Sequence, residues 1–261
     1  TGITGQKIPC VTLCPAHVDI PGYIAHVQEG NYDKAINLIR RDNPLPTACA
    51  MICEHPCEER CRRNLIDTSL NIRGVKKYAV DQIAADKVEV PRANPATGKK
   101  VAVIGGGPSG MTAAYYLSLM GHKVTVYEAK ERLGGMLMYG IPNYRFPKDR
   151  LDEDMNAILS TGNIEVKYGV NVGVDVPVEE IHKSYDAMYV AIGAQAGKKL
   201  RLEGIDAKNV FSAVEMLDEI GHDRKPDYTG KTVAVIGGGN VAMDAARSAL
   251  RCGAADVRIV Y

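Results

Sequence analysis

The 261 residues are 46% hydrophobic and 24% charged, ordinary values for folded domains, so neither a disordered tail nor a fibre is indicated and the length admits two domains. A formal net charge of +1 with no basic run argues against nucleic acid as a partner. No stretch approaches the roughly 18 apolar residues of a membrane span, and no secretory signal opens the chain, so a cytoplasmic protein is expected.

Residues 1–92 read as a helical domain. Pro21 suits the first turn of a helix ending at Glu29, with Gly30 as its stop. Asn31 caps a second helix, whose Ala35, Ile36, Leu38 and Ile39 form an apolar face and which Asn43-Pro44 ends; a third spans about Ile72 to Ala85. Six of the seven cysteines (Cys10, Cys14, Cys49, Cys53, Cys57 and Cys61) fall in this domain, and only Cys252 lies elsewhere. Ahead of nucleotide-binding motifs typical of intracellular enzymes, such a group points to metal or cluster ligation rather than disulfides. The four-residue spacing from Cys49 to Cys61 would line one face of a helix, but Pro56 interrupts it, so turns folded around a compact object are expected. Crowded thiolates repel unless iron or zinc neutralises them; a structural zinc site and an iron–sulfur cluster both stay open on these residues. His55 is expected in an exposed turn.

The segment Val90 to Gly98, punctuated by Pro91, Pro95 and Gly98, is a linker. From Lys99 the pattern becomes α/β, of the doubly wound Rossmann type, with a first unit over 99–230 and the start of a second over 231–261. A strand over Val101 to Ile104 runs into Gly105-Gly106-Gly107-Pro108-Ser109-Gly110 and a helix from Pro108 to Met120. Gly105 serves the tight turn, Gly107 the approach of a pyrophosphate, Gly110 the close packing of helix on strand, and the helix N-terminus supplies donors to the phosphates. A second strand, Lys123 to Glu128, ends on a carboxylate placed to bind both ribose hydroxyls. Ala129, Lys130, Arg132, Gly135, Met136 and Leu137 follow, with a glycine pair of the kind that folds back over a flavin nucleotide, and the stretch to Gly193 resembles the strand that closes on the same cofactor. FAD is therefore expected first. Further strands are read at Ile164 to Tyr168 and Ala187 to Ile192. Thr232 to Ile236 then repeats the first strand and Gly237-Gly238-Gly239-Asn240-Val241-Ala242 the fingerprint, with Asp244 early in the helix that runs to Leu250. Two such units imply two nucleotides that exchange a hydride, FAD and NAD(P)H. One βαβ unit cannot bury its own faces, so a longer parent chain is expected beyond the last strand, Val257 to Tyr261.

Residues 8–261 resemble the family of the glutamate synthase small subunit, the N-terminal half of dihydropyrimidine dehydrogenase and the large subunit of NADH-dependent ferredoxin:NADP oxidoreductase. The motifs that carry the resemblance are Pro9-Cys10-Val11-Thr12-Leu13-Cys14-Pro15 with Asp19-Ile20-Pro21, Asn43-Pro44-Leu45-Pro46 before the cysteine run, Gly134 to Pro142, and Gly237 to Asp244. The resemblance implies an oxidoreductase that moves electrons between NAD(P)H, FAD and [4Fe-4S] clusters, to or from a partner protein or a larger complex. It places Cys14, Cys53 and Cys57 in one cluster and Cys10 and Cys61 in another, and puts Tyr139, Pro142 and Arg145 in a loop beside the flavin or in a packing role. At the family's further Cys-x2-Cys pair this chain has Gly2 and Gly5, and its non-cysteine ligand falls on the helix of Lys76 and Lys77; a protonated lysine cannot ligate iron. One good cluster is thus expected, with a second open and Cys49 either a substitute ligand or a buried thiol. A structural adaptor with a reduced cofactor set is the rival reading.

Overall fold

The computed structural model describes residues 8–198, 201 and 203–261; Gly2 and Gly5 lie outside them. Prolines in the first turns of four helices (Pro9, Pro21, Pro46 and Pro56) and left-handed turns at His17, Gly30 and His55 punctuate the N-terminal helices. They are α1 (Pro9–Leu13), α2 (Ile20–Gln28), α3 (Tyr32–Asp42), α4 (Pro46–Ile52), α5 (Pro56–Glu59) and α6 (Ile72–Gln82). Asp19 caps α2 through the Gly22 N–H at 3.1 Å, and Asn71 caps α6 through Gly74. Asn31 precedes α3 as expected, but its side chain binds Glu29 rather than the helix. The cysteine run is not one helix. Cys49 lies within α4, Cys53 ends it, His55 turns the chain at φ +44°, Cys57 sits in α5, and Cys61 precedes a 3-10 turn (Arg62–Leu65). Val18, Ile20, Tyr23, Ala35, Ile39, Cys57 and Ile72 form the core of this bundle.

A four-stranded parallel sheet follows, in the order β3 (Ile164–Tyr168), β2 (Lys123–Glu128), β1 (Lys100–Ile104), β4 (Ala187–Val190). This is the doubly wound order, and the pleat sends alternate side chains to two separate layers. Val103, Val124 and Val126 pack against α7 (Pro108–Leu119), α8 (Met136–Tyr139) and α9 (Lys148–Leu159). Ala102, Ile104 and Tyr127 face the other way, onto Ile181 of α10 (Val178–Ser184). Past α11 (Ala213–Gly221), β5 (Thr232–Ile236) and β6 (Asp256–Val260) pair in parallel around α12 (Asn240–Arg251). Ile236 and Val260 stay more than half exposed on this second, two-stranded sheet.

The helical bundle is joined to the first sheet unit by buried polar contacts. Asp154 of α9 is fully buried and accepts from the Thr47 and Ala48 N–H groups, at 3.1 and 2.8 Å, so it caps α4 from another element. Burial lifts its carboxyl from 3.8 to about 7 against those two bonds and the nearby Arg40 charge. Arg40, also fully buried, donates to the Ala85 and Val88 carbonyls at 2.6 and 3.2 Å.

Candidate cofactor sites

The first fingerprint folds as a crossover from β1 into α7. Gly105 adopts φ +106°, and a Cβ there would overlap the Ala191 carbonyl just past β4. A Cβ on Gly110 would overlap the Gly105 carbonyl, so helix and strand meet at glycine-only distance. Gly107 differs. Its backbone is extended, and the nearest atom to an added Cβ is the Gly135 Cα at 3.7 Å, which leaves open space at the head of α7. Pro108 has no N–H to lose there, and the following N–H groups of the first turn point out of the helix. A phosphate pair fits this cradle by shape and by charge. Ser109 Oγ lies 3.0 Å from the Tyr189 hydroxyl on β4.

Glu128 closes one side. Its Oε2 accepts from the Gly106 N–H at 2.7 Å and its Oε1 from the Lys130 N–H at 2.8 Å, so the carboxylate is held at the end of β2 and remains an acceptor for a sugar hydroxyl. Ala129 continues from it. Lys130 is drawn away into an ion pair with Asp218, above the Tyr139 ring. The Arg132 N–H donates to the Tyr139 hydroxyl at 3.1 Å while its guanidinium pairs with Asp152. Gly135, at φ +50°, brings its backbone against Gly107. Met136 opens α8, and Leu137 points into the core. Gly193, at φ +71°, follows Ala191, the residue just past β4 whose N–H bonds the Ile104 carbonyl beside the fingerprint. Gly105, Gly107, Gly110, Glu128 and Gly135 thus gather at the head of α7, with Gly193 two residues past the Ala191 that touches Gly105, whereas Lys130, Arg132 and Leu137 are spent on protein contacts.

The second fingerprint has the same turn. Gly237 stands at φ +121° and no atom lies within 4 Å of a Cβ on Gly239. Ala242 packs beneath it and Val241 is half exposed. Asn240 does not face the open turn alone: its Nδ2 donates to Glu54 Oε1 at 3.2 Å, a residue of the cysteine run. Asp244 is buried one turn into α12. Its Oδ2 meets Arg145 Nη1 at 2.6 Å, its backbone carbonyl takes the Tyr144 hydroxyl, and its Oδ1 has no hydrogen-bond partner. Arg145 and Asp244, both candidate ligand contacts by sequence, therefore hold each other and link the two nucleotide units.

The thiols form two neighbouring groups. Cys10 on α1 and Cys14 at its C-terminal end lie against Cys57 on α5, and Cys61 follows. Burial, then the Glu58 carboxylate and the Cys14 and Cys10 thiols, push the Cys57 thiol up to about 11 against the opposing Lys76 ammonium; burial likewise raises Cys10, with Cys61 and Cys14 adding to it. Beside them the Cys49 thiol donates to Cys53, and this bond, the His55 N–H at 3.3 Å and the Lys76 ammonium draw the Cys53 thiol down to about 6. Among the described residues no three cysteine, histidine or carboxylate side chains close on a single point as one zinc ion would require. A cubane has four separate iron corners, so its thiolates stand apart, and a spread set of soft sulfur donors suits it. His55 stays partly exposed and turns to Glu58. Asp154, Arg40 and Glu54 carried no local sequence signal, since the periodicity around each is that of an ordinary helix or turn, whereas Tyr189 opens the stretch to Ala194 that resembles the strand closing on the flavin.

Residues 3–88 match the family model described as dihydropyrimidine dehydrogenase domain II, 4Fe-4S cluster, and residues 67–144 and 99–261 match that of the pyridine nucleotide-disulphide oxidoreductases. The NADP(+)-dependent formate dehydrogenase subunit beta of Moorella thermoacetica is 40% identical over 97% of this chain and 39% of its own length. The NADPH-Fe(3+) oxidoreductase subunit beta of Geobacter sulfurreducens is 39% identical over 97% and 38%. A glutamate synthase [NADPH] small chain of Mycobacterium tuberculosis is 34% identical over 94% and 53%. The chain thus spans about two-fifths to one-half of the length of these three relatives. Among solved structures, FprA of Mycobacterium tuberculosis in complex with NADPH aligns at a TM-score of 0.55 and 24% identity over 64% of this chain and 43% of that one. A 2-naphthoyl-CoA reductase complex aligns at 0.53 and 22% over 97% and 33%; both show the fold. With more than half of its residues inside the matched model, the chain belongs to the pyridine nucleotide-disulphide oxidoreductase family and carries a 4Fe-4S-type domain ahead of it.

Proposed function

We propose that this chain is the electron-handling part of an NADPH-dependent oxidoreductase, passing electrons between NADPH, FAD and a [4Fe-4S] cluster, to or from a partner protein. The observation that carries the reading is the convergence of three binding elements in one packed unit: the glycine cradle at Gly107, the second cradle at Gly239, and the cysteine run, which touches the second cradle through Glu54 and Asn240. FAD takes hydride as a pair of electrons and releases them singly, which is the chemistry a nicotinamide and an iron–sulfur centre need between them.

The residues do the positioning. Gly107 and the first turn of α7 receive the FAD pyrophosphate, and Glu128 holds the adenosine ribose. Gly239 and the first turn of α12 receive the NADPH pyrophosphate. The Arg145–Asp244 pair keeps the two units in one orientation. The cluster draws its ligands from Cys10, Cys14, Cys53, Cys57 and Cys61. NADPH rather than NADH is favoured because the relatives' names state NADP or NADPH. A partner subunit is favoured because those relatives are beta subunits or a small chain, and a cytoplasmic site because a reducing compartment keeps six cysteines available as thiols. No helix among the described residues is long and apolar enough to cross a membrane.

The test is anaerobic purification followed by flavin and iron quantification and a stopped-flow reaction with NADPH. About one FAD and about four irons per chain, with flavin bleaching on NADPH addition, are expected; zinc in place of iron, or no flavin, overturns the reading.

A further inference from the structure

Lys76 of α6 is 6% exposed, yet among the described residues it forms no ion pair with a carboxylate. Its Nζ lies 3.1 Å from Cys49 Sγ and 5.8 Å from the centroid of the buried Tyr23 ring. Tyr23 is itself fixed, its hydroxyl donating to the Ile72 carbonyl at 3.1 Å at the head of the same helix. A buried ammonium with only a thiol and a ring for company lacks the anion that burial demands. The surroundings name what can supply one: beside the Cys49 sulfur, the Tyr23 ring under this ammonium packs in one core with Cys57, Cys10 and Cys14. The anion is therefore sulfur-borne.

We infer that Lys76 is the built-in counter-cation of the iron–sulfur site, a positioning and tuning residue whose fixed charge favours the reduced state of the cluster bound by the neighbouring thiolates. Reduction adds one electron and makes or breaks no bond, so a fixed positive charge within a few ångströms stabilises the product more than the reactant. Position 76 is kept in place from three directions, by the Cys49 sulfur, the Tyr23 ring and the fold of α6, which makes the charge a permanent part of the site. The inference rests on the cluster reading proposed above.

The experiment compares the cluster-loaded wild-type chain with K76M and K76R. Iron is quantified, and the one-electron midpoint is read by EPR during stepwise dithionite reduction. K76M is expected to keep its iron but to be at least tenfold harder to reduce at a fixed potential, a midpoint lower by about 59 mV, while K76R stays within threefold of wild type. Loss of iron in K76M alone, with K76R loaded, also supports the charge role. A K76M midpoint equal to wild type overturns it, as does loss of iron from both variants with unchanged far-ultraviolet dichroism, which would make Lys76 a packing residue. Wild-type protein that binds no iron overturns the cluster reading itself, a result distinct from any of these.

Discussion

Replacing Gly107 by alanine separates the cradle from the fold. Gly107 sits at φ −77° with extended ψ, a conformation alanine adopts freely, and the new methyl would meet nothing nearer than Gly135 Cα at 3.7 Å. The ligand-free protein should thus be unharmed, and gains about 0.4–1 kcal/mol from the less flexible unfolded chain. The methyl does occupy the space a pyrophosphate needs. If it costs two hydrogen bonds from the α7 N-terminus to phosphate, each worth about 1.5–3 kcal/mol, binding weakens by about 3–6 kcal/mol in total. At about 1.4 kcal/mol per tenfold, the FAD dissociation constant rises 100-fold or more. Gly110→Ala is the control, since its methyl overlaps the Gly105 carbonyl and should destabilise the chain by about 2 kcal/mol or more whatever is bound. Flavin retention is read from the visible spectrum after gel filtration and from fluorescence titration of the apoprotein, and stability from urea unfolding. A G107A protein that folds normally and keeps stoichiometric flavin would refute the placement of the pyrophosphate.

Gly239→Ala applies the same logic to the second cradle: flavin should stay bound while its reduction by NADPH slows at least tenfold, and an unchanged rate would remove Gly239 from the nicotinamide site. Arg145→Met leaves the Asp244 carboxylate buried without its cation; because Arg145 is partly exposed, the loss should be about 2 kcal/mol rather than the 3–5 of a fully buried pair. Adding Asp244→Asn should recover part of that loss in a double-mutant cycle, and strict additivity would show that the two do not interact. Asp154 provides a pH test. Its folded carboxyl titrates near 7 against 3.8 when solvated, so between those values the folded chain holds a proton the unfolded chain has released, and stability falls as pH rises across the window, by about 4 kcal/mol in all. Asp154→Asn should add a constant penalty for the lost acceptor and abolish that slope in urea melts from pH 4.5 to 7.5; an equal slope in both proteins would assign it to other groups.

Much of the fold was legible because its signals are local. Strands β1, β2, β3 and β5 begin and end within a residue of their expected limits, since each is a short apolar run bounded by glycine or a charge, and α7 and α12 start where a glycine turn meets Pro108 or Asn240. The cysteine run was legible only in part. Pro56 broke the single helix as expected, but α4 still carries Cys49, because its N-terminus is capped by Asp154, more than a hundred residues away in the chain. The region from Gly140 to Asp227 hid α9, α10 and α11: prolines rather than polar caps precede the first two, and the Ser212 that caps α11 stands in a loop-like stretch, while the apolar faces of α9 and α11 are covered by the sheet and by α12. At the sites, glycine positions were readable because only backbone geometry decides them. The fate of Lys130, Arg132 and Arg145 was not, since a long cation goes to whichever carboxylate the tertiary fold brings near, here Asp218, Asp152 and Asp244.

That pattern of pairing also explains how the units are kept in register. A seam made only of apolar side chains tolerates small slides, because dispersion and burial change little with them. The seams of this chain are instead fixed by directional groups: Asp154 on the Thr47 and Ala48 N–H groups, Arg145 on Asp244, and Asn240 on Glu54, while Arg40 on the Ala85 and Val88 carbonyls ties α3 to the end of the helical domain. Each bond is lost if its partner moves by an ångström or two, and the buried ones then leave a polar atom unsatisfied at a cost of about 1–3 kcal/mol apiece, whereas water replaces the exposed Asn240–Glu54 bond. Such contacts add little net stability over a well-packed apolar seam. What they give is a single geometry, and that is the quantity on which electron transfer depends, because its rate drops steeply with the separation of donor and acceptor. The cysteine run is held to the first nucleotide unit by Asp154 and to the second by Asn240, and the two units to each other by Arg145 and Asp244; under the function proposed above, the distances among the three sites are set by these bonds, two of which the pH titration and the double-mutant cycle measure.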